Sequence, residues 1–195
     1  MAQFNAFSNL PNIPYKIMEY LAMSTLPEAE QLWKMLKYNS YDALSKNNLT
    51  LEEKMQLVWK NGKQDKYSVF LTNLIEDAIV ESRCVLKIYD YMVQPIDIYN
   101  ASVVYAFDFL YGGQMSLVAL NGIPVSRADV FIRSICSVLN GADVGGVGVL
   151  ALDDTLSRYS GTKSVIGNSK TFTGVCVYLV TQSGSAGVTE GLCDG

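Results

Sequence analysis

In the first sixty residues, apolar positions recur at helical spacing. Ile17, Met18, Leu21 and Ala22 mark one face behind Asn12-Ile13-Pro14, a cap with proline in the first turn. Leu32, Trp33 and Leu36 follow Thr25-x-x-Glu28, and Met55, Leu57, Val58 and Trp59 follow Thr50-x-x-Glu53. Both four-residue patterns have the form of a capping box, in which a hydroxyl and a carboxylate each accept a backbone N–H that the first helical turn leaves unsatisfied. Asn61-Gly62 supplies a left-handed stop to the third segment. The pattern predicts three short amphipathic helices before residue 60.

The period changes after Lys66. Tyr67 to Leu71 reads as a short strand or as the start of a helix reaching Ile79. Cys84 to Met92 alternates and is rich in β-branched and aromatic residues, which predicts a strand, and Gln94-Pro95 ends its pairing. Ser102 to Tyr111 predicts a longer strand closed by Gly112-Gly113. Its stripe of Tyr105, Phe107, Phe109 and Tyr111 has period two, so one buried face explains it better than a base-stacking platform. Ser126 to Asp129 caps a helix with Phe131, Ile135, Val138 and Leu139 on one face, and Asn140-Gly141 ends it. Val147 to Leu152 and Thr171 to Thr181 predict two further strands.

These elements give an α+β fold: short N-terminal helices, then an antiparallel β-sheet domain packed with one main helix and carrying a long extended loop. Every glycine except Gly62 lies at or beyond Gly112. That shift suggests a mainly helical part over 1–82, an α+β part over 83–182 and a Gly/Ser-rich tail over 183–195.

Composition narrows the chemistry. Among the 195 residues there is no histidine, which removes Ser-His-Asp and Cys-His catalysis and imidazole metal ligands. Through Lys66 there are 8 Lys/Arg against 7 Asp/Glu, and after it 7 against 12, for a net charge of −4. That balance argues against a sequence-reading nucleic-acid surface, which needs clustered Lys and Arg. Cys84, Cys136, Cys176 and Cys193 form no C-x-x-C, so reduced structural thiols are expected, in a chain made in a cytosol. No apolar run approaches the ~20 residues of a membrane span, and the N-terminus lacks the basic and apolar regions of a secretory signal.

The remaining motifs favour structure over chemistry. Gly145-Gly146-Val147-Gly148 follows a helix and opens a strand, the reverse of a dinucleotide fingerprint. Gly161-Thr162-Lys163-Ser164 lacks the Gly-Lys adjacency of a phosphate loop. Asp153-Asp154 is the sole lead toward a metal, and with no third acid nearby it reads as a polar turn. Neither a catalytic residue, a metal nor a cofactor is expected, and the chain reads as a non-enzyme. Asp153 to Lys170 is long for a structureless connection in a compact domain. Its mixed charges and apolar anchors, Asp153, Asp154, Arg158, Tyr159, Lys163, Val165, Ile166 and Lys170, suit a protein–protein contact.

One resemblance joins these pieces. The order strand, strand, Gly-rich turn, helix Arg127 to Leu139, Asn140-Gly141-x-x-Val144-Gly145-Gly146-Val147-Gly148, strand, long loop and a strand opened by Phe172-x-Gly174 resembles the neck proteins of tailed bacteriophages. Leu32 to Tyr38 with Thr50 to Lys60 is similar to small phage connector proteins, although the sizeable helical N-terminal part departs from the typical tail terminator. The resemblance implies a virion protein at the neck/tail junction, a tail terminator or head-closure (stopper) protein. Its partners would be copies of itself in a homo-oligomeric ring and adjacent neck, portal-adaptor or tail-tube proteins, with DNA passing unread and no membrane. The alternative is an intracellular non-enzymatic protein-binding module.

Overall fold

In the computed structural model, residues 10–75, 83–96, 100–152, 164–166 and 172–184 are described. Among the described residues three α-helices come first: α1 (Ile13–Met23), α2 (Pro27–Lys37) and α3 (Leu51–Gln56). The Thr50 box forms as expected: its hydroxyl accepts the Glu53 N–H at 3.2 Å, and the Glu53 carboxylate accepts the Thr50 N–H at 2.9 Å. The Thr25 box does not form. Pro27 fixes the first helical turn, so the extended Leu26 becomes the cap and Thr25 lies one residue too far back. The third helix is also shorter than its pattern. Val58 and Trp59 leave it to pair with Val69, the Trp59 N–H reaching the Val69 carbonyl at 2.8 Å, and Gly62 (φ 74°) turns the loop beyond.

Among the described residues the main sheet has six strands. Tyr67 to Leu71 resolves as a strand, β1 (Val69–Phe70), which runs parallel to β2 (Val85–Pro95). β2 pairs antiparallel with β3 (Asn100–Gly112), which pairs with β10 (Phe172–Gly184). The outer side of β10 carries β8 (Ala151–Leu152) and β9 (Ser164–Ile166). Two hairpins lie apart from it, β4–β5 (Leu117–Leu120, Ile123–Ser126) and β6–β7 (Asp143–Val144, Gly148–Val149). The expected single strand Val147 to Leu152 is therefore split, because Leu150 returns its N–H to the Ala142 carbonyl and interrupts the run. The next described α-helix, α4 (Arg127–Leu139), is capped by Ser126 and followed by Gly141 at φ 83°, as its sequence predicts.

The core lies between the helices and one face of the sheet. Leu86, Ile88, Tyr105, Phe107, Phe109, Val175, Val177 and Leu179 meet Ile17, Leu21, Leu32, Trp33, Phe131 and Ile135 there. Phe131 of α4 stacks on Phe109 with centroids 4.8 Å apart. The aromatic stripe of β3 is thus a buried face, but its alternate positions Val104, Ala106, Asp108 and Leu110 are buried too. A two-sided strand of this kind reads as a nearly continuous apolar run.

Two buried cations hold the helical layer. Lys54 pairs with Glu30 and donates to the Ala22 carbonyl, tying α3 to α1 and α2. Arg127 is fully buried and, among the described residues, has no carboxylate partner. Its guanidinium donates to the carbonyls of Ser40 at 2.6 Å, Tyr38 at 3.4 Å and Leu117 at 3.4 Å. The fork thereby joins the loop after α2 to the start of α4.

Candidate functional site

Register assigns the residues on the sheet face turned away from the helices, row by row across β2, β3 and β10. The first row is Val85, Leu110 and Gly174; the second is Lys87, Asp108 and Cys176. The third is Tyr89, Ala106 and Tyr178, and beyond a bulge between Asp90 and Met92 the fourth is Met92, Val104 and Val180. Near the first row, Phe70, Val85 and Leu110 form a small apolar cluster with Trp59, Tyr67, Ile75 and Phe172.

The middle rows form a satisfied polar network. Asp108 is only 4% exposed, and it accepts from Lys87 Nζ at 2.8 Å and from the Tyr89 hydroxyl at 3.0 Å. The Lys87 ammonium also lies 5.5 Å from the Tyr89 ring centroid, within cation–π range. Burial, reinforced by the Asp108 charge, raises the Tyr89 phenol and the Cys176 thiol far above their ordinary values. Burial pushes Cys84 up to about 11, with Arg127, 3.6 Å from its sulfur, pulling the other way. Thiols held protonated in this way are poor nucleophiles. The network is therefore built to hold the sheet together.

The last row differs. From Asp90 onward β2 turns exposed, and Tyr91, Met92 and Ile96 are 50%, 45% and 55% accessible. Tyr91 reaches over to Tyr178, with ring centroids 5.0 Å apart. β1 covers β2 only beside Leu86 and Lys87, so among the described residues the edge from Ile88 to Pro95 has no strand beside it. A long, apolar, unpaired edge is a template for another chain. The bulge limits its reach in register.

Of the sequence-predicted contact residues, Asp153, Asp154, Arg158, Tyr159, Lys163 and Lys170 lie outside the described residues. Val165 and Ile166 belong to β9, paired with Val175 and Gly174 of β10. The stretch expected to be structureless therefore contributes a strand, because β10 is long enough to offer a second partner beyond β8. Sequence reading missed the apolar edge at Tyr91, Met92 and Ile96. Its signal was an alternation that ends in Tyr-Met-Val, with the Gln94-Pro95 stop close behind. Among the described residues no three Cys, Asp or Glu side chains cluster to hold a metal, and no helix is long and apolar enough to cross a membrane.

A family model described as YomW matches residues 29–181, most of the chain. No curated protein and no solved structure matches it.

Proposed function

The chain belongs to the YomW family, whose name points to a Bacillus phage region, and on that ground we propose that it is a phage-associated protein and a structural subunit of the virion neck. In this reading copies of the chain form a ring that joins the head/portal complex to the tail and lets DNA pass, as a tail terminator or head-closure protein. Its partners are itself and the adjacent neck, portal-adaptor or tail-tube proteins. It works in the virion without catalysis.

The observation that carries this reading is the open edge of β2, where Tyr91 and Met92, with Ile96 just beyond the strand, are exposed while β3 beside them is buried. Subunit contacts draw on surfaces of this kind, through strand addition and a few aromatic or Met anchors. The segment Asp153 to Lys170, with β9 inside it, is the second contact we assign to assembly. The lumen of such a ring does not need to be basic, since a basic wall would retain the phosphate backbone of moving DNA, and the net charge of −4 suits it.

Electron microscopy of the source particle, or of the protein mixed with the products of its neighbouring genes, tests this directly. The expected result is this chain in a ring at the head–tail junction. Absence from every particle, with one discrete soluble partner recovered instead, would overturn the reading in favour of a binding module.

A further inference from the structure

The open edge of β2 has a chemistry that narrows what can lie along it. Over residues 88–96 the only charged side chain is Asp90, beside the exposed Tyr91 and Met92. The Leu86 N–H donates to the Ser68 carbonyl at 2.8 Å on the β1 side. The two-residue period of a strand turns Ile88 the same way, where among the described residues no strand meets it. Pro95 has no N–H, so pairing along this side ends at Gln94. A strand added here must be apolar and free of acids, since a carboxylate set opposite Asp90 would be repelled.

The start of the chain supplies such a strand. Residues 1–9 have no charged side chain, no glycine and no proline, and they carry Phe4 and Phe7. Residues 185–195, by contrast, hold Glu190, Asp194 and three glycines, which disfavour a strand beside Asp90. Helix α1 fixes where the first segment sets out. Its Lys16 ammonium lies against Gly146 in hairpin β6–β7, and the Val147 carbonyl of that hairpin accepts the Thr181 hydroxyl at 3.3 Å. Thr181 stands opposite Val103, and Val103 opposite Val93. The first turn of α1 is therefore over the end of the sheet where the β2 edge is open, and α1 also packs on β2. We propose that residues 2–8 of one copy add as a strand to the open β2 edge of the next copy. This rests on the ring reading and names the strand that its open edge receives. Pairing about five arm residues leaves about four to cross between subunits, a reach of roughly 13 Å. Phe4 and Phe7 are three apart, so a strand turns them to opposite faces. One of them meets Tyr91 and Met92 whichever way the arm lies. The contact is heterologous, an arm from one subunit and an edge from the next, and each is used once around a closed ring.

The test compares the full-length protein with F4D/F7D, with F4L/F7L and with a protein lacking residues 2–9. Assembly is followed by native mass spectrometry and electron microscopy, alone and with neighbouring virion proteins. The arm makes its contacts in the assembly, so the free proteins should share one circular-dichroism spectrum and one unfolding midpoint. Wild type and the leucine variant should enter the ring. The aspartate and truncated proteins should need at least about tenfold more protein to do so. A photoreactive benzoylphenylalanine in place of Phe4 then reports the occupant. The expected product has the mass of two chains, with the link mapped to residues 88–96. A link to that edge within a single chain would put the arm on its own subunit and overturn the exchange. A link to a different neck protein would overturn it as well. A truncated protein that enters rings like wild type removes the arm and leaves the ring reading standing. Wild type found in no ring, free or in the particle, removes both.

Discussion

Arg127 is a single residue on which several elements depend. Its buried guanidinium is held by three carbonyl dipoles, from Tyr38, Ser40 and Leu117, that converge on its planar fork. Replacing it with leucine removes the charge but leaves those carbonyls unsatisfied in the interior. The Arg127→Leu protein should lose about 3 kcal/mol or more of unfolding free energy by urea titration. Arg127→Lys should recover little of that, since one ammonium cannot span three diverging acceptors. The buried thiols make a second residue-scale case. Cys84 and Cys176 are buried and raised in pKa, whereas Cys136 is half-buried. Brief treatment of the native protein with iodoacetamide at about pH 8 should leave Cys84 and Cys176 unmodified by mass spectrometry. Both should react fully in denaturant.

At the scale of elements, what was legible in sequence was what depends on neighbours within one turn or one strand. The Thr50–Glu53 box, the Ser126 cap, the Gly141 stop and the stripe from Tyr105 to Tyr111 all form from local spacing. What was not legible depends on distant chain. The α3 pattern continues through Trp59, yet the helix ends at Gln56 because Val69 competes for the backbone of Val58 and Trp59. β9 exists because β10 presents a free side there. The β4–β5 hairpin had a local signal that went unread, Asn121-Gly122 between two apolar runs. Both residues take positive φ, 52° and 80°, as a type I′ turn demands. The α3 cap also has a defined pH dependence. The Thr50 backbone N–H, then its hydroxyl, hold the Glu53 carboxyl below its ordinary value. A depressed folded pKa contributes stability above the unfolded value and loses it as pH falls through the folded one. Denaturation curves of wild type and Glu53→Gln should therefore differ at pH 7, with wild type more stable. The gap should close as pH is lowered past the ordinary range of a glutamate, near ~4. A gap that persists at about pH 2 would mean that the neutral side chain caps equally well.

At the scale of the molecule, the sheet divides into a half that stabilises the fold and a half that faces outward. From Val85 to Tyr89, β2 packs on the core with one face and on the Lys87–Asp108–Tyr89 network with the other. From Asp90 to Pro95 the same strand is largely exposed, although β3 beside it stays buried at Ala101, Val103 and Val104. A monomer gains little from exposed Tyr91 and Met92, and an unpaired apolar edge carries an aggregation hazard that proteins ordinarily blunt with charge. The division makes the two halves separable by mutation. Tyr91→Lys/Met92→Lys places charge on the open edge and, at positions about half exposed, should shift unfolding free energy by no more than about 1 kcal/mol. It should nonetheless prevent incorporation into the particle, because a charged edge strand rejects an added strand. The control is Asp108→Asn in the other half. It leaves Lys87 without its buried counter-ion, so it should destabilise the monomer by about 3 kcal/mol. Under conditions where it stays folded, it should still be incorporated. If the edge variant enters particles as wild type does while keeping its charge exposed, the outward half of the sheet is not the assembly surface. The contact would then have to come from elsewhere on the molecule.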